Sequence, residues 1–218
     1  NFFNQANYNF INIGESIKPN FGLTNPIVNS VVRENDDALW VGTNGGGLNF
    51  VDLKSKKVIE YKIRISDKTK TSNMINVLAE FDNVNLLCGT VNGLYNFNKN
   101  NKDFKVIPLR KNEQLLPEFP VTSLVVDEKK IWVGTEGDGL KLIQGKDVII
   151  NYRADSEINV LSDNFVTDIE FENNNIWIAT QDGLNQIDKI SGKLVKIFRS
   201  EGTGTIANNN LTSLFADS

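Results

Sequence analysis

Short apolar runs separated by polar turns fill the chain, and they recur in a fixed order. Leu-Trp-Val-Gly-Thr at 39–43 is followed by Leu-Leu-Cys-Gly-Thr at 86–90, Ile-Trp-Val-Gly-Thr at 131–135 and Ile-Trp-Ile-Ala-Thr at 176–180. From Trp40 to Leu87, Trp132 and Trp177 the steps are 47, 45 and 45 residues, a fixed period that marks a repeat architecture. No polar residue alternates through these runs, so each reads as a short strand buried on both faces. A glycine-rich turn follows, then a second apolar run beginning at Leu48, Leu94, Leu140 or Leu184. The pair is a hairpin, with glycine supplying the positive φ of a tight turn. Thr to Leu spans 5, 4, 5 and 4 positions in the four copies. A turn that accepts an extra residue without losing the next strand is a surface turn. No Lys-Ser/Thr pair follows the glycines, so they do not read as a phosphate cradle.

Two further strands complete the unit. Ahead of each hairpin lies a run with small polar residues, and Asn29, Asn76, Thr122, Thr167 and Thr212 recur at one position in it. After each hairpin come a polar turn and a strand alternating apolar with polar, as an outer strand with one wet face does. Four antiparallel strands per unit of about 45 residues predict an all-β fold, a β-propeller of four-stranded blades. Complete blades are expected over 27–63, 74–108, 120–152 and 165–198, with partial-blade strands at 8–13 and 211–217, so the chain reads as part of a larger propeller. The first strands would line the axis. Trp40, Trp132 and Trp177 would fill the space between blades, and Gly42, Gly89 and Gly134 would be structural repeat positions. Polar connections are expected over 64–73, 108–119, 153–164 and 199–209.

The chain has 218 residues, a net charge of −4 and 40% hydrophobic residues, enough for a core under an ordinary soluble surface. Lys and Arg are scattered, which argues against nucleic acid. No run of 18 apolar residues exists, so a membrane would be reached only through a parent chain. The absence of Met at position 1 points to an excised or processed segment. There is no His and one Cys. That excludes a Ser-His-Asp or Cys-His centre and His-ligated zinc within these residues. Cys88 occupies the place of Val41, Val133 and Ile178 and reads as a small buried hydrophobe.

The pattern from Val121-Thr122-Ser123-Leu124 through Ile131-Trp132-Val133-Gly134-Thr135 to Gly139-Leu140 resembles the two-component regulator propeller repeat. The second copy departs most, with Leu87 in place of Trp, and the fourth has Ala179 for Gly. Neither the Gly-His and Trp-Asp pairs of WD40 repeats nor the Gly-Gly-before-Trp order of kelch repeats is present. The resemblance implies the periplasmic sensor region of a hybrid two-component histidine kinase. Such regions detect oligosaccharides and signal to a kinase elsewhere in the chain.

An enzyme acting on sugars would need two carboxylates about 5–9.5 Å apart in a cleft. Asp36 with Asp37, and Glu136 with Asp138, sit in turns where Asp is simply a turn former. Asp168 interrupts an axial strand and reads either as a ligand contact or as a structural acceptor. The segment is therefore expected to be non-enzymatic, with no cofactor and no metal. Recognition usually sits on loops carried by a rigid scaffold, and sugars favour planar polar groups beside aromatic faces. Asn73, Phe119, Asn164, Phe165 and Asn209, at the ends of the long connections, are the expected ligand contacts, with Asp168. The remaining expected partners are other blades, or a second copy packed on open end faces. A propeller lyase or hydrolase and a passive scaffold are the alternative readings.

Overall fold

The structure, a computed structural model, describes residues 22–64, 73–201 and 205–216. Each of the four units folds into its own antiparallel sheet with strands in chain order. The first holds β1 (Val28–Asn35), β2 (Ala38–Thr43), β3 (Gly47–Asp52) and β4 (Lys57–Tyr61). The second holds β5 (Ile75–Glu80), β6 (Asn85–Thr90), β7 (Gly93–Asn98) and β8 (Asp103–Val106). Two short strands, β9 (Arg110–Lys111) and β10 (Gln114–Leu115), come next. The third sheet is β11 (Val121–Asp127), β12 (Lys130–Thr135), β13 (Leu140–Gln144) and β14 (Asp147–Tyr152). The fourth is β15 (Val166–Glu172), β16 (Asn175–Thr180), β17 (Gly183–Asp188) and β18 (Leu194–Phe198). Among the described residues there is no helix, and so none long and apolar enough to cross a membrane.

The sheets stand side by side as blades, with β1 against β5, β5 against β11 and β11 against β15. The recurring polar position explains the spacing. Asn29 Nδ2 donates to Ile75 O (3.0 Å), Asn76 Nδ2 to Val121 O (3.0 Å) and Thr122 Oγ1 to Val166 O (2.5 Å). Each inner strand thus ties its side chain to the backbone of the next, satisfying carbonyls that no ladder reaches. Apolar residues fill the seams. Trp40 is buried against Phe50 and Tyr61 of its own blade and Phe97 of the next, with ring centroids 4.7–6.0 Å apart. Trp132 is buried likewise, near Tyr152 and against Val166, Ile169 and Phe171 of the following blade. Trp177 differs: it is only half-buried, beside Phe198, because no fifth sheet follows it among the described residues.

The glycines of the Gly-Thr pairs sit where β2, β6 and β12 meet the next inner strand. A Cβ on Gly42 would lie 2.7 Å from Ile75 Cγ2, on Gly89 2.5 Å from Val121 Cγ1, and on Gly134 2.6 Å from Val166 Cγ1. The fourth copy carries Ala179, where no sheet follows among the described residues. Replacing Gly134 by Ala is expected to cost about 1–3 kcal/mol, because overpacking forces backbone shifts in a close-packed seam. Chemical denaturation would check it, and unchanged stability would remove the close-approach explanation.

Three sequence expectations meet a different outcome or no test. The connection over 108–119 is not wholly irregular: β9 and β10 form a hairpin with Asn112 and Glu113 at positive φ. Arg110 N donates to Lys146 O (2.8 Å), which adds that hairpin to the outer edge of the third sheet. The predicted strand at 211–217 forms no ladder over 211–216. It is held by Leu211 N to Thr180 O (3.1 Å) and Leu214 N to Asp168 Oδ2 (2.8 Å). The predicted strand at 8–13 lies outside the described residues.

Tyr152 carries a pH dependence. Its buried hydroxyl donates to Gly192 O (2.8 Å), and burial pushes its pKa up to about 12. The unfolded chain releases this proton near pH 10. A raised folded pKa means stability present below pH 10 and lost as pH rises towards 12. Between pH 8 and 11 the wild type is expected to lose more stability than Tyr152→Phe, and equal losses in denaturant unfolding would refute it.

Candidate functional site

Among the described residues, the ends of the long connections meet the glycine-rich turns at one end of the blades, and the hydrogen bonds show how. Gly47 N donates to Asn73 O (2.9 Å), Gly139 N to Asn164 O (2.9 Å) and Gly183 N to Asn209 O (2.9 Å). The same three asparagines accept at Oδ1 from the backbone of their own loops, from Ile63 N (2.8 Å), Ala154 N (2.8 Å) and Ser200 N (2.6 Å). The recurring Asn is therefore a clamp that closes a loop and holds a turn. Asn164 Nδ2 also reaches Asp155 (3.4 Å) and Asn209 Nδ2 reaches Asp182 (3.0 Å). Asn73, Phe119, Asn164 with Phe165, and Asn209 thus stand at successive seams of this end and not in a single pocket. Phe165 is half-buried beside its clamp, its N–H bonded to Asp163 Oδ1 (2.5 Å).

Asp168 lies elsewhere, on the inner strand. One of its oxygens accepts from Leu214 N (2.8 Å) and the other from Ile169 N (2.9 Å). Ser30 Oγ accepts from Leu78 N (3.0 Å) at the equivalent place between the first two blades, so Asp168 acts as an inter-strand acceptor there.

The loop ends of the third and fourth blades are closed by ion pairs as well. Arg153 bonds Asp138 and Asp155 (2.8 Å), and Arg199 bonds Asp182 (2.9 Å). Arg153 holds the Asp155 carboxyl at about 2. Lys141 is buried, with its Nζ 2.7 Å from Asp138 Oδ2, 2.9 Å from Asn151 Oδ1 and 5.0 Å from the Phe119 ring centroid. Burial lowers its pKa, opposed by the Asp138 carboxylate. Its position one past Gly-Leu is Asn49 in the first blade and Asn185 in the fourth. Those amides accept from Thr24 N (3.1 Å) and Ser162 N (2.8 Å), four residues before the inner strand. The third blade has Pro117 at that place, which offers no N–H. Lysine turns instead to Asp138 and Asn151.

The second blade differs in residue type at each of these positions. Pro108 stands where Arg153 and Arg199 stand, Asn92 replaces Asp138 and Asp182, and Phe119 takes the clamp position. The buried Phe119 packs on Leu94, Leu109 and Val121. Beneath the β9–β10 hairpin this leaves a hollow of about 220 Å³ walled by Leu94, Ile107, Leu109, Leu116 and Phe119. Exposed Leu115 and the polar residues Asn92 and Glu118 stand at its edge. An apolar hollow with few convergent polar groups is the form ligand sites take. Of the sequence-derived contacts only Phe119 belongs to it. Its other walls went unnoticed because nothing in 108–119 repeats. The departures of the second repeat were the available signal.

No protein-family model matches the chain. Over 195 residues it is 32% identical to Histidine kinase P4 of Formosa agariphila, covering 84% of this chain and 14% of that protein. Among solved structures, the extracellular domain of BT4673 from B. thetaiotaomicron, described as a hybrid two component system, aligns over 88% of this chain. That covers 25% of its own length, with TM-score 0.66 and 23% identity. The extracellular domain of BT3049 from B. thetaiotaomicron, described in the same way, aligns over 82% of this chain and 23% of its own, with TM-score 0.62 and 26% identity. The chain thus spans about a seventh of the curated relative and about a quarter of each structure. In fold and in repeat sequence it is a relative of the extracellular regions of hybrid two-component sensors, the family that its recurring Gly-Thr and Gly-Leu segments resemble.

Proposed function

We propose that this chain is part of the ligand-receiving region of an extracytoplasmic, periplasmic sensor. It binds an oligosaccharide at its loop face, and the signal passes to a histidine kinase domain elsewhere in the parent protein. The observation that carries the reading is the hollow at the second blade. Among the described residues it shows neither the Arg–Asp pairs of the third and fourth blades nor the Asn clamp of the first, third and fourth, and its walls are apolar and aromatic. The C–H faces of a sugar ring suit such walls, while its hydroxyls suit the amides and ion-paired groups of the neighbouring loops. Of the carboxylates named as catalytic candidates, Asp138 lies between Lys141 and Arg153, Asp36 pairs with Arg33 and Asp168 accepts from two backbone N–H groups.

Calorimetric titration with a panel of oligosaccharides tests the proposal. Leu115→Ala at the exposed rim and Phe119→Leu in the wall are expected to weaken binding about tenfold, about 1.4 kcal/mol. A sugar that binds the chain with affinity unchanged in both variants would place recognition elsewhere.

A further inference from the structure

The seam between the second and third blades is built from the same repeat positions as its neighbours, but with smaller side chains. Between the first and second blades the box around Trp40 is closed by Phe50 across the strand, Tyr61 on the outer strand and Phe97 of the next blade. Lys99 bridges to Glu34 (2.7 Å), and Glu34 accepts from the Trp40 indole N–H (2.6 Å). Between the third and fourth blades Trp132, Tyr152 and the Lys189–Asp127 pair (2.9 Å) fill the same places. In the middle seam, counting from each inner strand and each Gly-Leu, Leu87 replaces Trp. Asn96 replaces Phe50, Ile107 replaces Tyr61, Gly145 replaces the lysine and Phe81 replaces the acid.

These substitutions leave a cleft of about 290 Å³ lined by Phe81, Leu87, Asn96, Ile107, Ile131 and Gly145, with Asn85 at its edge. Five of these residues stand at the positions that hold an indole and its surroundings in the seam before. The volume approaches the lower end of ordinary small-molecule sites. The walls are apolar except at one edge, where Asn96 Nδ2 donates to Asn85 Oδ1 (2.9 Å). Apolar space of this kind takes up an aromatic molecule that restores the missing contacts.

We propose that the middle seam is a second binding site, sharing only Ile107 with the loop-face hollow, for a planar aromatic molecule of one or two fused rings with a single polar edge. The ligand occupies the volume that an indole occupies in the adjoining seams. Its ring lies against Leu87, Ile107 and Ile131, and its polar edge faces the Asn85 and Asn96 amides.

Indole itself is the probe. Titrated into the isotope-labelled chain, it is expected to give saturable amide chemical-shift changes at Leu87, Asn96 and Gly145. Leu87→Trp fills the cleft from its floor and is expected to abolish those changes. Asn96→Phe, at a half-buried position, fills it from the side and should do the same if the first variant folds poorly. Absence of shifts at these amides up to the solubility limit of indole, or saturable shifts that persist in both variants, would overturn the proposal. Titration of Leu115→Ala with indole separates the two sites: this variant should bind indole as the wild type does, and loss of the shifts there would assign the probe to the hollow instead.

Discussion

Truncating Trp132 to alanine is expected to destabilise the chain by about 3–5 kcal/mol, the range for deletion of a large core side chain. The indole is 3% exposed and sits between Tyr152 of its own blade and Phe171 of the next. Its removal would open a void at the seam that joins the third and fourth blades, and rigid strands on both sides limit collapse into it. One circumstance moderates the figure. Trp132 Nε1 is buried and finds no partner among the described residues, whereas the indole N–H groups of Trp40 and Trp177 reach Glu34 and Glu172. Asp127, one methylene shorter than those acids, is taken by Lys189 instead. Trp132→Phe should therefore cost clearly less than Trp132→Ala, since it keeps a ring and removes an unsatisfied donor. Trp177→Ala, at a half-exposed position, should also cost less. Urea denaturation of the three variants would check the ranking, and an alanine variant at 132 with wild-type stability would deny the indole its structural part.

The isolated 218-residue chain is expected to self-associate, head to tail. The reason lies in repeat positions that change exposure with place. Ile75 and Leu78, Val121 and Leu124, and Val166 and Ile169 are all buried by the blade before them. Their equivalents in the first blade, Val28 and Val31, are 43% and 53% exposed. At the opposite end Trp177 is half-covered, and Phe215 is 88% exposed beside it. One end thus presents the surface that receives a blade and the other presents the surface that is received. Two such unlike faces make a heterologous contact, which closes into a ring or runs on as a filament. Contiguous apolar surface drives that association. Sedimentation over a concentration series should show growth in mass, and Val31→Asp should reverse it by placing a charge in the contact. A monodisperse wild-type monomer would sink the idea.

The repeat was legible in the sequence because its cause is local. Two-faced burial of a strand requires an uninterrupted apolar run, and a tight hairpin requires glycine at positive φ. Both leave a mark that returns every 45 residues or so, and the four-strand order of each blade and the seam positions of Trp40 and Trp132 follow. The burial of Cys88 was legible for the same reason. The middle seam was also readable in outline, since Leu87 breaks the Trp pattern, but a gap in a pattern shows only that something is missing. That Asn96, Ile107 and Gly145 shrink the same box depends on three strands and two blades meeting.

Tertiary structure decided the rest. Asn73, Asn164 and Asn209 looked like exposed amides suited to a ligand, and their side-chain oxygens close loops, because the backbone N–H groups they accept lie nine or ten residues back along a folded loop. Asp168 looked anomalous in its strand until the backbone of Leu214 came to lie beside it. Lys141 carries no local mark of burial, yet it is buried on Asp138 and Asn151, at the place where Pro117 offers no N–H to an asparagine. The β9–β10 hairpin belongs to the edge of a sheet that begins only after it, so no local pattern announces it. What the sequence determines alone is the blade, through periodic burial. What a blade does at its loop end depends on which unlike residues the fold sets side by side.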